Sequence, residues 1–193
     1  AKTLPEVLTI EQVHQIIDSC NVERIALFFW TTYSMGLRLD EARNLQVSDI
    51  QAGRGFVHIH RGKGAKDRYV PLPSSTLHWL RKHWTTHRHP RLLFPAEGRD
   101  HKQSSVAKTP IQTTTVQKAI GKIAAQLKLP RKVSIHTLRH SYASHLLEAG
   151  VNLKAIQQYL GHSSLQTTLV YLHLTDAAQA NAREKIEKLF RRG

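Results

Sequence analysis

The sequence predicts a mainly α-helical domain carrying one small antiparallel β-sheet, an α+β arrangement. Three observations support this. Apolar residues recur at helical spacing along most of the 193 residues. The period changes to two only between Phe56 and Leu72. Glycines at 36, 150 and 161 close successive helical stretches.

Thr9 is placed to cap the first helix with Gln12 as its capping-box partner, and Ile10, Val13, Ile16 and Ile17 form one apolar face. A second helix is expected from about Val22 to Met35, stopping near Gly36, and a short third from about Asp40 to Gln46. Phe56–His60 and Arg68–Leu72 alternate about the turn-like stretch 62–67, which reads as a β-hairpin with lysines at its tip. Ser74 or Ser75 is expected to cap a helix reaching about Thr86, followed by a basic, histidine-rich loop to about Pro110 with a short extended piece at Leu92–Phe94. Further helices are expected at about Thr113–Leu127, His136–Glu148, Asn152–Leu160 and Ser164–Leu172, with an amphipathic tail from Ala177 to Phe190.

Charge narrows the function. Twenty-eight Lys and Arg face fourteen Asp and Glu, a net +14, which predicts a polyanionic partner: nucleic acid first, an anionic membrane surface second. The longest apolar run, Ile25–Trp30, is far too short to span a bilayer. The expected location is cytoplasmic and nucleoid-associated, in a bacterium or phage. The single Cys20 excludes a disulfide scaffold and a thiolate zinc finger, and reads as a small core hydrophobe. No D-x-D, H-E-x-x-H or P-loop pattern is present.

Phosphoryl transfer without a metal needs cations on the non-bridging oxygens, an acid for the leaving oxygen and a side-chain nucleophile. His136 and Arg139 stand at i and i+3 near a helix start, either as an anion site or as a basic face turned to solvent. His162 follows a helix stop, and Tyr171 comes nine residues later, where a lone tyrosine is more often packing than nucleophile. The pairs His58/His60 and His87/His89 have metal-like spacing, but with no carboxylate or cysteine partner in view no metal site is expected.

Taken in order, Gly36-Leu37-Arg38-Leu39-Asp40-Glu41, Gly62-Lys63-Gly64-Ala65-Lys66-Asp67-Arg68, His136-Thr137-Leu138-Arg139-His140, Leu160-Gly161-His162-Ser163 and Tyr171 resemble the catalytic domain of the tyrosine recombinases, from about Leu4 to Leu172. The resemblance implies that fold, with Arg38, Lys63, His136, Arg139, His162 and Tyr171 as catalytic residues and Glu41 as a supporting carboxylate. It implies DNA cleavage and rejoining through a 3′-phosphotyrosyl link, with no cofactor, ATP or metal, and strand exchange through a Holliday junction. Asp40 and Ala42-Arg43 depart from the usual pattern without touching a catalytic position.

Lys66, Arg68, Arg81, Lys82 and His140 are the expected contacts to double-stranded DNA. Arg81 and Lys82 belong to a basic stretch interleaved with Trp79 and Trp84, which reads equally as a DNA-contacting face or as packing beneath a solvated one. Residues 1–8 resemble the remnant of an interdomain linker, 9–176 the catalytic domain, and 177–193 a helix that docks on a neighbouring protomer, in the family a tetramer on DNA. The rival readings are a nick-and-reseal enzyme of the type IB topoisomerase kind and a binding module without catalysis. The second is disfavoured because every expected catalytic position holds the expected residue type.

Overall fold

A computed structural model describes residues 6–60, 67–98, 103–129, 132–163, 165–169, 184 and 186–189. Helix α1 spans Ile10–Asp18 and opens on the expected reciprocal cap: the Gln12 amide donates to Thr9 Oγ1 (3.1 Å) and the Thr9 amide to Gln12 Oε1 (2.9 Å). Helix α2, Glu23–Met35, ends where Gly36 turns left-handed at φ 61°. That position demands glycine twice over, because a Cβ there would also lie 2.3 Å from the Tyr142 ring.

Helix α3 is shorter than expected, Leu39–Arg43. The chain leaves it to pair with the distant loop: the Leu93 amide donates to the Leu45 carbonyl (3.0 Å), and the Val47 amide to that of Arg91 (2.8 Å). Tertiary pairing there overrides helical spacing. A 3-10 turn at Val47–Asp49 leads into strand β1, Ile50–Gln51, which the sequence reading did not anticipate. Strands β2, Phe56–Ile59, and β3, Arg68–Pro71, form the expected hairpin, and the antiparallel order is β1-β2-β3. Val57 pairs with Val70, and His58 with Tyr69.

Helix α4 runs Ser74–His87, but its N-cap is Pro73 and no side chain caps it, contrary to the expected serine cap. In the loop that follows, His89 holds the backbone together: its Nδ1 accepts the Arg91 and Leu92 amides and its Nε2 bonds the Ala107 carbonyl. Leu92, Leu93 and Phe94 are buried, so the short extended piece is a core insertion. Helices α5 (Thr113–Gln126), α6 (Ile135–Glu148), α7 (Leu153–Leu160) and α8 (Leu165–Leu169) follow. Most of the tail lies outside the described residues; within it, Ile186 and Leu189 are exposed. No described helix is long and apolar enough to cross a membrane.

The apolar residues form two cores. The larger gathers α1 to α5 and the sheet and takes in Ile135 and Leu138 at the start of α6. The smaller is built by the rest of α6 and by α7, from Tyr142, Ala143, Leu147, Ile156 and Leu160. Arg139 lies between the two sets on α6 and is 4% exposed. Cys20 packs partly buried against the larger core, where burial raises its thiol pKa.

Candidate active site

Three arginines from three separate elements converge on one carboxylate at the seam between the cores. Glu41, on α3, is held first by its own turn: Oε2 accepts the Arg38 amide (2.8 Å) and Oε1 the Arg38 guanidinium (3.0 Å). Arg68, on β3, then forks onto both oxygens, at 2.7 and 2.8 Å. The Arg139 guanidinium lies 3.9 Å from Oε2. Burial alone would raise the Glu41 pKa, but the Arg68 fork together with the Arg38 amide and guanidinium outweighs it and holds the carboxyl at about 2. One full negative charge therefore sits among three permanent positive ones.

Arg139 is positioned by backbone. It donates to the Gly36 carbonyl (2.7 Å), at the end of α2, and to the Leu160 carbonyl (2.6 Å), at the end of α7. Both carbonyls belong to helix C-termini closed by left-handed glycines, Gly36 and Gly161, where a cation is favoured. Arg68 reaches α7 as well, through its Nε to the Tyr159 carbonyl (2.6 Å). The hairpin, α2, α3, α6 and α7 are thus tied together by guanidinium groups.

His136 is exposed on the first turn of α6, three residues before Arg139, where Thr137 Oγ1 accepts the Ser134 amide to close the helix start. His162 follows Gly161. Its amide donates to the Gln157 carbonyl (3.1 Å) and its Nδ1 lies 2.9 Å from Thr168 Oγ1 on α8. Arg38 has the most accessible side chain of the three arginines, 39% exposed against 7% for Arg68 and 5% for Arg139. Arg38 therefore stands at the open side of a cluster that concentrates positive charge, the kind of arrangement that favours an anion.

That convergence reproduces the motif order along the chain, and a profile of the phage integrase family matches residues 6–178. The chain belongs to the phage integrase family. It is 34% identical over 188 residues to a tyrosine recombinase of Thermosipho africanus (strain TCF52B), covering 96% of this chain and 63% of that relative. The chain thus spans just under two thirds of the length of that relative. Among solved structures, the crystal structure of XerA recombinase is 25% identical with a TM-score of 0.75, covering 99% of this chain and 68% of that one. The XerH site-specific recombinase, in a post-cleavage complex with its palindromic difH substrate, is also 25% identical at a TM-score of 0.75, covering 96% and 54%.

Of the expected site residues, the structure brings Arg38, Glu41 and Arg139 together, while His136 lies on the first turn of α6 and His162 just past α7. Lys63, Lys66 and Tyr171 lie outside the described residues. One expected DNA contact needs correction, and a second has to be read as an uncharged group. Arg68 is 8% exposed and spends its guanidinium on Glu41 and Tyr159, so it is an internal cation that fixes the carboxylate and not a surface contact. The β3 alternation carried that signal, since Arg68 shares the inward side with Val70 while Tyr69 faces out. His140 is partly buried; that burial, with His136 and Arg139 adding repulsion, lowers its pKa to about 4. It is uncharged at neutral pH and brings no cation to a phosphate. Arg81 and Lys82 are exposed on α4, where Lys82 lies 5.1 Å over the Trp79 ring and lines a different hollow with Ile17 and Trp30.

Proposed function

We propose that this chain is the catalytic domain of a tyrosine-type site-specific DNA recombinase. The observation that carries the reading is the cluster of Arg38, Arg68 and Arg139 around the carboxylate of Glu41, which gathers three permanent cations from separate parts of the chain at one place in the fold. A scissile phosphodiester is the anion of fitting charge, and the net +14 of the chain favours DNA as its source.

In the proposed reaction, Arg38 and Arg139 take the non-bridging oxygens and stabilise the charge that grows on them. The Tyr171 phenolic oxygen attacks phosphorus in line. A P–O bond to tyrosine forms as the P–O5′ bond breaks, leaving a 3′-phosphotyrosyl link. Lys63 protonates the departing 5′ oxygen, His136 accepts or relays the phenolic proton, and His162 donates a further hydrogen bond to the phosphate. Bond energy stays in the covalent link, so the 5′-hydroxyl of a partner strand reverses the step and exchange proceeds through a Holliday junction. In the whole protein four protomers act together on double-stranded DNA; the exposed Ile186 and Leu189 of the tail fit docking on a neighbour. The site of action is the nucleoid of a bacterial or phage-infected cell.

The test mixes the protein with nicked duplexes of pooled sequence, with chelator present and ATP absent, and looks for denaturant-resistant protein–DNA adducts. An adduct is expected with the native chain and none with Tyr171→Phe. DNA binding with no adduct, in this chain and in a longer parent alike, would reduce the domain to a binding module.

A further inference from the structure

The strand histidines lack carboxylate partners in the local sequence, and the fold supplies them. His58 and His60 alternate with the buried Val57 and Ile59, so both rings emerge on the same face of β2, 4.1 Å apart. Asp49, from the 3-10 turn before β1, is brought beneath them and is 4% exposed. Its Oδ2 accepts the Gln46 amide (2.8 Å), which fixes the carboxylate, and its Oδ1 faces His60 Nε2 at 2.7 Å. Asp67, at the start of β3, closes the other side, 3.0 Å from His58 Nε2 and 3.7 Å from His60 Nδ1.

We propose that Asp49, His58 and His60 form a binding site for a divalent transition-metal ion of the zinc type, with Asp67 as the carboxylate that orients the imidazoles. One donor atom from each of the three residues falls within 4.8 Å of the other two. Around a tetrahedral zinc at about 2.0–2.1 Å, ligand atoms stand roughly 3.3 Å apart, so the side chains need only small rotations to close on an ion. Two imidazoles and one carboxylate suit zinc, cobalt or nickel, whereas magnesium and calcium call for oxygen ligands throughout. A histidine ring held by an outer carboxylate is the usual support of such a site. The donors line a hollow of about 470 Å³ shared with Arg38 and Glu41, which gives the ion a way in and leaves a coordination position open to it.

The position gives the site its meaning. His60 immediately precedes, and Asp67 immediately follows, the stretch 61–66 that contains Lys63. An ion held by Asp49, His58 and His60 ties the end of β2, where the chain enters that stretch, to the turn before β1. This inference does not depend on the reaction proposed above, since it concerns an ion held beside the arginine cluster.

Titration of the 193-residue chain with cobalt(II) tests it. The expected result is one ion per chain, with the visible bands of four-coordinate cobalt, displaced by zinc and not by magnesium. His58→Gln and His60→Gln should each weaken binding about 100-fold or more, since losing a ligand costs at least as much as losing its outer partner. His60→Gln should leave the melting temperature measured without metal nearly unchanged, because that side chain is 56% exposed, so its loss of metal binding reads the site and not the fold. Absence of cobalt binding would overturn the proposal. So would binding that is equally tight in the double variant, which would put the ion on another histidine group such as His83 and His87.

Discussion

The two cores of this domain are made alike and joined differently. Within each, aliphatic and aromatic side chains pack at full burial, as Phe28, Phe29 and Phe94 do in the larger and Leu160 does in the smaller. Between them, the partly buried Tyr33 touches both, and the joint is otherwise marked by polar ties: Arg139 bonds a carbonyl from each side, and Arg68 ties the hairpin to α3 and α7. An apolar seam would be at least as stable, since buried ion pairs seldom repay their desolvation. A seam of guanidinium groups instead holds fixed cations where the proposed reaction would receive a phosphate. The comparison divides the arginines into those that carry structure and site together, Arg68 and Arg139, and one that serves the site alone, Arg38.

Replacing one arginine of each kind should separate these roles most sharply. Arg68→Met strips Glu41 of its forked partner and leaves a buried carboxylate undercompensated, at a cost of about 3–5 kcal/mol. For a chain of this size that is roughly 10 °C in melting temperature. Arg38→Ala removes a partly exposed side chain, so its melting temperature should fall by less than about 2 °C. Its rate of phosphotyrosyl formation should nevertheless fall about 10²–10³-fold, the usual cost of one transition-state donor. Calorimetry and a single-turnover cleavage assay read the two axes. Equal melting temperatures for the two variants would erase the distinction.

Local signals explain which parts of this arrangement were legible in the sequence. The Thr9–Gln12 box, Gly36 and Gly161 set helix boundaries through contacts within a few residues, and each was read correctly. The early end of α3 depends on the loop around Arg91–Leu93, some 45 residues downstream, which no periodicity reports, and β1 is only two residues long, too short to show the alternation of its partner β2. Motif order singled out Arg38, Glu41, His136, Arg139 and His162, and of these the structure brings Arg38, Glu41 and Arg139 into one cluster. The Arg68 fork and the approach of Asp49 to His60 were not legible, because both are consequences of how the hairpin is laid against its neighbours.

Acid should loosen the seam in a definite order. Burial lowers the pKa of His83 and of His140 to about 4, with His87 adding to it for His83 and His136 for His140, so both stay neutral in the fold. Below their ordinary 6.5 the unfolded chain takes protons that the folded one refuses, and stability declines as pH falls from 6.5 toward 4. The depressed Glu41 carboxyl acts lower: its contribution is complete above 4.5 and is lost as pH falls toward 2. That loss amounts to about 2–3 kcal/mol. Urea unfolding across this range should show Glu41→Gln with a shallower slope below pH 4.5 and an unchanged slope above it. An unchanged slope throughout would mean the seam does not depend on that charge.

The smallest effect belongs to cations outside the seam, and it sharpens the division. Arg81 and Lys82 are exposed on α4, and among the described contacts Lys82 meets only the Trp79 ring and the hollow beside it. Nothing in the packing depends on their charge, so Arg81→Ala and Lys82→Ala should each leave the melting temperature within about 1 °C. If α4 lies along DNA, each phosphate contact releases counterions, and the slope of log affinity against log salt should fall by about 0.9 per residue lost. The affinity loss should be alike for every sequence, because a phosphate contact positions the protein without reading bases. Fluorescence anisotropy on unrelated duplexes at several salt concentrations measures both quantities. An unchanged slope in the double variant would assign this face to packing beneath a solvated surface, leaving the seam arginines as the chain's decisive cations. A slope lowered by nearly two units would show that this domain holds DNA with one set of cations and its own fold with another.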